Sequence, residues 1–368
     1  MKVLITGGGG MIGQAIAKEH IANGDDVFIY DKWANDFHSY KNLLGVSVTL
    51  TQVQHMIKNN EIDLLSHQAG LVGVGQSQYE VDKYIHYNVG FTGYLIQLLI
   101  DSKYKGAITF AGSMSVYGEG EYHCAECCDT FIGDRKGKIN VKCPSCGNEQ
   151  IYFYSSTEMS PTSPVSIYGV TKLSQEMFLK TYADIYNIPF LSLRYFSVYD
   201  PEGSPLNPYT GVLSVIANKI LNSDTIEINE DGEQTRDLIS KVDVAKIHCE
   251  LSSELARNHS FYGCSILNVG TGTKVSLKDV VETMCEHLGW KGEVFYNGKV
   301  RKGDIKNSQA DLSQLYEYLK PTTFNGIKPI AVGIEEYCNF IDTNRDEFTV
   351  KQDTCKEADE ELKKRGLL

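Results

Sequence analysis

The first thirty-one residues constrain the fold most. "KVLIT" (2–6) is a short apolar run that breaks directly into four glycines, 7–10. A helical pattern, "MIGQAIAKEHIANG", follows, and then a second apolar run, "DDVFIYD", that ends on Asp31. Gly7, Gly10 and Gly13 have the spacing GxxGxxG. In a strand–turn–helix unit Gly7 allows the tight turn and Gly10 lets the backbone approach a pyrophosphate. Gly13 lets the helix pack closely on the strand, and the helix N-terminus faces the anion. Met11 and Ile12, between the second and third glycines, count with this cradle. A carboxylate at Asp31 can accept hydrogen bonds from an adenosine ribose diol and would repel a 2′-phosphate, so the expected cofactor is NAD rather than NADP. The order strand, turn, helix, strand, Asp carries this reading; a glycine triplet alone would not.

Further apolar runs alternate with helical segments: "IDLLSHQAG" (62–70), "GAITFAG" (106–112), "IPFLSLRYF" (188–196) and "SILNVG" (265–270). Such alternation predicts an α/β fold, a doubly wound parallel sheet of the Rossmann type with helices on both faces. Ligands of such sheets sit beyond the carboxyl ends of the strands. Asp31, His67, Ser113 and Tyr195 all fall at or near such ends. His67 reads equally well as a cofactor contact and as a packed polar residue under the turn.

The net charge of the 368-residue chain is −12. An acidic chain is a poor candidate for sequence-independent nucleic-acid binding, which needs Lys and Arg against phosphates. No run of about 18 apolar residues suggests a membrane span. The chain opens directly on strand and glycine turn, without an export signal, and its ten cysteines then imply reduced thiols in the cytoplasm.

"SIYGVTK" sets Tyr168 and Lys172 four apart, neighbours on one helix face. A phenol is a poor base at neutral pH, with a reference pKa of about 10. A lysine ammonium and a positive nicotinamide ring beside it would favour the phenolate. Ser113, at another strand end, is placed to orient the reacting oxygen.

With these residues the sequence resembles the extended short-chain dehydrogenase/reductase superfamily over about residues 1–340, and within it the NAD-dependent nucleotide-sugar epimerase/dehydratase family. "YNVGFTGYLIQLL" is similar to the family's Asn-Val-x-Gly-Thr helix and places Asn88 near the nicotinamide side, although Phe91 stands where the family has Gly. "LRYFSVYDP" resembles Arg-Tyr-Phe-Asn-Val-Tyr-Gly-Pro, with Ser197 for the Asn and Asp200 for the Gly. "VSVTLTQ" stands in place of the family's Gly-Asp-Val/Ile adenine contact. "DGEQTRDLISKVDVAKI" and "VRKGDIKNSQADLSQL" resemble the segments whose Arg236, Arg301 and Asp304 meet the nucleotide. The resemblance implies catalysis by Ser113, Tyr168 and Lys172. It implies cofactor contacts from Lys32, Gln68, Ala69, Asn88, Tyr168, Lys172 and Tyr195 beside the glycine turn and Asp31. Ser115, Ser197, Arg236, Arg301 and Asp304 would hold the substrate.

The superfamily's sugar 4,6-dehydratases carry Asp-Glu directly after the catalytic Ser/Thr, whereas Met114 and Ser115 follow Ser113 here. A reductase would more often use NADPH, which Asp31 disfavours. Epimerisation through a transient ketone is what remains. "GLVGVGQSQYEVDKYIHYNVG", "GSMSVYGEGEYHC", "LNPYTGVLSVIANKILN" and "ADEELKKRGLL" together resemble the dTDP-L-rhamnose 4-epimerase group, whose members carry a cysteine-bearing insertion after Val-Tyr-Gly.

That insertion, "HCAECCDTFIGDRKGKINVKCPSC", pairs Cys124-x-x-Cys127 with Cys143-x-x-Cys146, the spacing of a structural zinc ribbon. Four thiolates close the tetrahedron and leave no open position for catalysis. Cys128 is expected not to be a ligand, and Cys249, Cys264, Cys285, Cys338 and Cys355 read as ordinary small residues. Since the insertion leaves after Tyr117 and returns before Tyr168, it is expected to form a lid or wall over the sugar site, a dimer contact or a partner-recruiting site.

The expected organisation is an NAD-binding domain from 1–120 and 153–199, with a returning segment at about 237–270. The ribbon occupies 121–152, and a smaller C-terminal substrate subdomain 200–236 and 271–342. The charged tail, 343–368, is expected as a solvated terminal helix. The helical patterns at 79–102 and 166–186 have apolar residues on more than one face, with Tyr94, Leu98, Phe178 and Tyr182 left over after packing on the sheet. Related enzymes pair these helices across a two-fold axis, so a homodimer is expected.

Overall fold

The computed structural model describes residues 1–32, 44–135, 137–206, 211–258, 266–319, 326–348 and 360–368. Lys136, 207–210, Ser265, Cys264 and Cys355, which fall within the stretches and residues read above, lie outside the described residues.

Strands β1 (Lys2–Thr6), β2 (Asp26–Tyr30), β3 (Val46–Ser47), β4 (Leu64–His67) and β5 (Ala107–Ser113) precede the insertion. The insertion contributes β6 (Glu121–Cys124), β7 (Thr130–Ile132) and β8 (Ile151–Phe153). Then come β9 (Phe190–Tyr195), β10 (Ser197–Tyr199), β11 (Thr225–Ile228), β12 (Thr235–Ser240), β13 (Ile266–Val269), β14 (Lys274–Ser276) and β15 (Glu293–Tyr296). The central sheet is parallel, in the order β13-β9-β5-β4-β1-β2-β3. The chain builds outward from β1 in one direction to β3 and then in the other through β4. The crevice between β1 and β4 is therefore the topological switch point where such sheets bind ligands.

Alternate strand residues feed two helix layers. Val3, Ile5, Leu191 and Leu193 pack with Ile16 and Ala17 of helix α1 (Met11–Ala22) and with a later helix through Val244 and Leu251. Leu4, Leu65, Ile108 and Phe190 face the opposite layer. There they meet α2 (Leu50–Lys58), α3 (Phe91–Asp101) and α4 (Ile167–Tyr186) through Ile57, Leu95, Leu99 and Leu179. A separate core joins α5 (Val212–Asn222), α7 (Leu277–His287) and α8 (Ile330–Thr343) through Ile216, Met284 and Tyr337. Helix α6 (Lys241–Asn258) is the later helix of the α1 layer. β12 pairs with β10 and β14 in a small sheet, and its Ile239 packs in the central core together with α6.

The tail differs from its expectation. Residues 360–368 are docked: Leu362 is buried against Gly75, the Arg365 guanidinium lies 4.3 Å from the Tyr79 ring centroid, and the Lys302 amide donates to the Leu367 carbonyl at 2.9 Å. The apolar residue within the charge run supplies the contact that charge counting missed. Among the described residues no helix is long and apolar enough to cross a membrane.

Helix α4, which carries Tyr168 and Lys172, is fastened to β9 by charge. Arg194 donates to Glu176 through Nη2 at 2.6 Å and Nε at 3.1 Å, and Ser192 Oγ donates to the same carboxylate at 2.7 Å. Both side chains are about 4% exposed. Removing one member of such a pair leaves the other buried and uncompensated, at a cost of about 3–5 kcal/mol. Glu176→Ala should therefore lower stability by about that amount in denaturant unfolding, and replacing both residues by Met should cost less than the single change.

Candidate active site

The glycine turn has the geometry that its sequence demands. Gly7 has φ of +68°, and a Cβ there would come within 2.6 Å of the Ala69 backbone. A Cβ on Gly13 would overlap the Gly7 carbonyl oxygen. Gly10 is the N-cap of α1 and provides no side chain to the helix's first amides, while Met11 and Ile12 form its first turn. The Gly9 amide donates to Asp31 Oδ2 at 3.1 Å, so the carboxylate at the end of β2 is locked beside the turn. Lys32 Nζ donates to the Tyr87 hydroxyl at 2.6 Å and rests 4.0 Å from that ring centroid. Gln68 and Ala69 follow β4 on the other side of the crevice. An anion fits this cradle: a helix start without a side-chain cap, with no Cβ in the way.

Ser113 ends β5 and caps the short 3₁₀ turn Met114–Tyr117. Its Oγ lies 2.8 Å from Ser115 Oγ and accepts from the Ser115 amide at 3.2 Å. Two serines fix the start of α4: Ser166 Oγ accepts from the Gly169 amide and Ser77 Oγ from the Tyr168 amide, each at 3.0 Å. The half-buried Tyr168 ring stands edge-on to Tyr84 at 6.4 Å. Burial pushes its phenol above the usual range, and the Ser113 hydroxyl draws it part of the way back. Lys172 lies buried one turn on, its Nζ donating to the Ala111 carbonyl at 2.9 Å, and burial pushes it down to about 8. Lys172 is thereby fixed against β5, one helix turn from Tyr168.

Asn88 lies in a π-helical turn, Ile85–Gly90, leading into α3. Its amide accepts from Leu71 N at 2.7 Å and donates to Thr171 Oγ1 at 3.0 Å, next to Lys172. His67 is a packed core histidine. Thr92 Oγ1 donates to the Asn88 carbonyl and accepts from Gln175, so His67 Nε2 must donate to it, and Nδ1 accepts from Thr6. Burial takes its pKa down to about 3. Phe91 stacks on Tyr30 at 5.8 Å, which gives the family's glycine position an aromatic role here. Tyr195 pairs in register with Ser113, but its hydroxyl turns to His248 Nδ1 at 3.0 Å under the α6 layer.

At the other side of the cleft Arg236 Nη2 donates to Asp304 Oδ1 at 2.6 Å. Burial alone would raise the Asp304 carboxyl, but Arg236 and Arg301 hold it below its usual range. Ser197 opens β10 and is partly buried. The sequence reading missed Arg194, although it stands inside the quoted "LRYF". Nη1 of Arg194 donates to the Tyr117 hydroxyl, and that hydroxyl donates to Asn268 Oδ1, so one guanidinium reaches both sides of the turn that follows Ser113.

The insertion is a three-stranded antiparallel sheet, β7-β6-β8, with two matching cysteine turns. The Cys128 amide donates to the Cys124 carbonyl at 3.0 Å and the Gly147 amide to the Cys143 carbonyl at 2.9 Å. Cys128 and Gly147 are both left-handed, φ +58° and +76°. Cys128 therefore occupies the place of the second turn's glycine, outside the thiol cluster. The sulfurs of Cys124, Cys127, Cys143 and Cys146 lie within 4.8 Å of one another, with Cys124–Cys146 at 3.6 Å and Cys127–Cys143 at 3.5 Å. Four thiolates at about 2.3 Å from one zinc ion are roughly 3.8 Å apart, so the donor set fits.

The model of the NAD-dependent epimerase/dehydratase family matches residues 3–135 and 143–270. The chain belongs to that family. It is an enzyme of a NAD-dependent group that acts on nucleotide sugars. It is 28% identical to a dTDP-L-rhamnose 4-epimerase of Burkholderia thailandensis over 326 residues, 85% of this chain and 88% of the relative. Among solved structures, a UDP-N-acetylglucosamine 4-epimerase of Methanobrevibacter ruminantium in complex with UDP-N-acetylmuramic acid superposes with TM-score 0.70 at 25% identity. That match covers 93% of this chain and 98% of the other. The enzyme MoeE5, in complex with UDP-glucuronic acid and NAD, gives TM-score 0.72 at 25% identity over 94% of this chain and 100% of the other. The fold expected from the sequence, a Rossmann-type parallel sheet, is the fold observed. From the thiol geometry we expect one zinc per chain by elemental analysis of protein purified without chelators, falling to zero when Cys143 and Cys146 are both replaced by Ser.

Proposed function

We propose that the protein is a nucleotide-sugar 4-epimerase that works through a transient 4-keto sugar on a dTDP- or other nucleoside-diphosphate 6-deoxyhexose such as dTDP-L-rhamnose. The observation that carries this reading is the hydroxyl pair of Ser113 and Ser115 beside the Tyr168 phenol, with Met114 between them. Elimination of water needs an acid and a base at this place, and Met114 and Ser115, directly after Ser113, supply no carboxylate. The similarity to a dTDP-L-rhamnose 4-epimerase supports the choice of sugar.

NAD, when bound, supplies a hydride acceptor that returns the hydride within the same cycle. The glycine turn and Asp31 would hold it, with Lys32, Gln68, Ala69, Asn88 and the backbone of Tyr195 around it. Tyr168 takes the proton from the sugar 4-hydroxyl, and Ser113 orients that oxygen. Ser115, in contact with Ser113, and Ser197 line the sugar's side, while Arg236, Arg301 and Asp304 anchor the nucleotide. Burial disfavours the Tyr168 phenolate, and the positive charges of Lys172, which would also hold the cofactor ribose, and of the oxidised cofactor would offset this. The sugar turns over while its diphosphate stays anchored.

The test is incubation with a panel of dTDP- and UDP-sugars, with products read by NMR. Conversion of dTDP-L-rhamnose to its C4 epimer supports the reading, and turnover of UDP-hexoses alone would move the substrate. Tyr168→Phe should cost about 10²–10⁴ in kcat while leaving NAD bound. Activity should fall toward acid pH as Tyr168 takes up its proton. The phenolate ultraviolet absorbance should titrate with the same midpoint and be missing from Tyr168→Phe.

The same reading includes a cytoplasmic homodimer. Val170, Met177, Phe178 and Ile185 on α4, with Ile85 and Tyr94 nearby, are exposed apolar side chains. Leu98 and Tyr182, expected with this surface, are instead buried in the chain's own core, since both point to the sheet. Light scattering at micromolar concentration should give the mass of two chains, and Met177→Glu with Ile185→Glu should give one. A single-chain mass for the wild type would remove the dimer.

A further inference from the structure

The ribbon's contacts with the rest of the chain are charged, buried and concentrated at one place. Arg135 lies in the loop between β7 and the second cysteine turn and is 6% exposed. Its guanidinium donates to three groups: through Nη2 to Glu230 Oε2 at 2.5 Å, through Nη1 to the Asp304 carbonyl at 3.4 Å, and through Nε to the Lys138 carbonyl of its own loop at 3.0 Å. Glu230 is buried and left-handed, φ +62°, and its amide donates to the Lys299 carbonyl. Two residues at the ribbon's base grip the same segment. Glu119 Oε1 accepts from the Lys306 amide at 2.8 Å and from the Tyr122 hydroxyl at 3.1 Å, and that hydroxyl accepts from Asn307 Nδ2 at 3.0 Å. The segment 304–307 is therefore held from the ribbon's side at Asp304, Lys306 and Asn307. It is also the segment to which Arg236 is bonded, through Asp304 Oδ1 and the Lys306 carbonyl.

We propose that the ribbon is a latch for the nucleotide-anchoring loop, with Arg135 as the positioning residue that transmits the order of the four-cysteine centre to Arg236 and Asp304. The inference rests on the epimerase reading for the identity of the ligand, and on geometry alone for the latch. The loop bearing Arg135 is strung between the two cysteine turns, and within the ribbon few apolar side chains are buried, Tyr122 and Val141 among them. So small a core leaves the ribbon's order to its metal. The latch touches the nucleotide side of the cleft and not Ser113, Tyr168 or Lys172. It should therefore govern the affinity for the nucleoside diphosphate rather than the chemistry at C4.

The deciding variant is Arg135→Met with Glu230→Leu, which removes both charges and leaves neither buried alone. With this variant loaded with NAD and zinc, we expect a thermal transition close to wild type and unchanged NAD and zinc content. KM for the nucleotide sugar and Kd for dTDP or UDP by calorimetry should rise about tenfold or more, with kcat within a few-fold of wild type. Arg135→Lys, which keeps the charge but not the fork, should lie between. Chelation of zinc from the wild-type holoenzyme should raise Kd for dTDP or UDP in the same direction while NAD stays bound. A folded double variant with wild-type KM and Kd, or one that loses kcat with KM unchanged, would overturn the latch. Wild-type protein that binds dTDP or UDP but turns over no nucleotide sugar would overturn the epimerase reading, and the calorimetric comparison would still decide the latch. Wild-type protein that binds neither nucleotide overturns both.

Discussion

The guanidinium of Arg194 is the constraint on which the site depends. It is buried in β9, and its four hydrogen bonds are spread over elements that are distant in sequence. Two bonds hold Glu176 of α4, one holds the Tyr117 hydroxyl in the turn after Ser113, and a longer one reaches the Glu158 carbonyl where the chain returns from the ribbon. Through Tyr117 and Asn268 the same network reaches β13, and Asn268 in turn holds the Ser156 carbonyl. Ser113, the helix of Tyr168 and Lys172, and both ends of the insertion are thus indexed to one planar cation. A rigid fork suits this task better than an ammonium on a flexible stem.

Placing an insertion between Ser113 and Tyr168 would ordinarily endanger that geometry. The chain avoids this by closing the insertion at its stem. The Ser163 amide donates to the Val116 carbonyl, and Gly118, φ +63°, turns where a side chain would collide with the Ser163 backbone. Beyond the stem, Glu119, Tyr122 and Arg135 tie the insertion to the segment 304–307. Burial disfavours the charged forms of the half-buried Tyr168 and the buried Lys172, raising one pKa and lowering the other.

The parts of this arrangement that were legible in the sequence are those encoded by short spacing. The glycine turn, the Tyr168–Lys172 pair and the two cysteine turns each lie within a few residues, where backbone geometry alone decides what meets what. Cys128, expected not to be a ligand, lies outside the thiol cluster, at the left-handed position that Gly147 takes in the second turn. The parts that were not legible are long-range pairings: Arg194 with Glu176, Arg135 with Glu230, and Glu119 with the Lys306 amide. Charge composition gives no partner for any of them, because a surface arginine and a buried one look alike in a chain of this acidity. Orientation was equally hidden. Tyr195 lies at the predicted strand end, but its hydroxyl points to His248; His67, also at a strand end, proves to be fully satisfied inside the core. The docked tail was missed because a single leucine within a charged helix is a weak signal until its receptor, the open face of Gly75, is known.

The central claim is that C4 is oxidised and reduced within one bound sugar. It is tested most directly with a nucleotide sugar deuterated at C4, incubated in ordinary water with the enzyme and its resident cofactor, and followed by NMR to equilibrium. The account predicts that deuterium stays at C4 in both epimers and that no solvent hydrogen enters at C3, C4 or C5. Loss of the label from C4, or solvent exchange at C3 or C5, would mean that a proton rather than a hydride is moved there, and would contradict it.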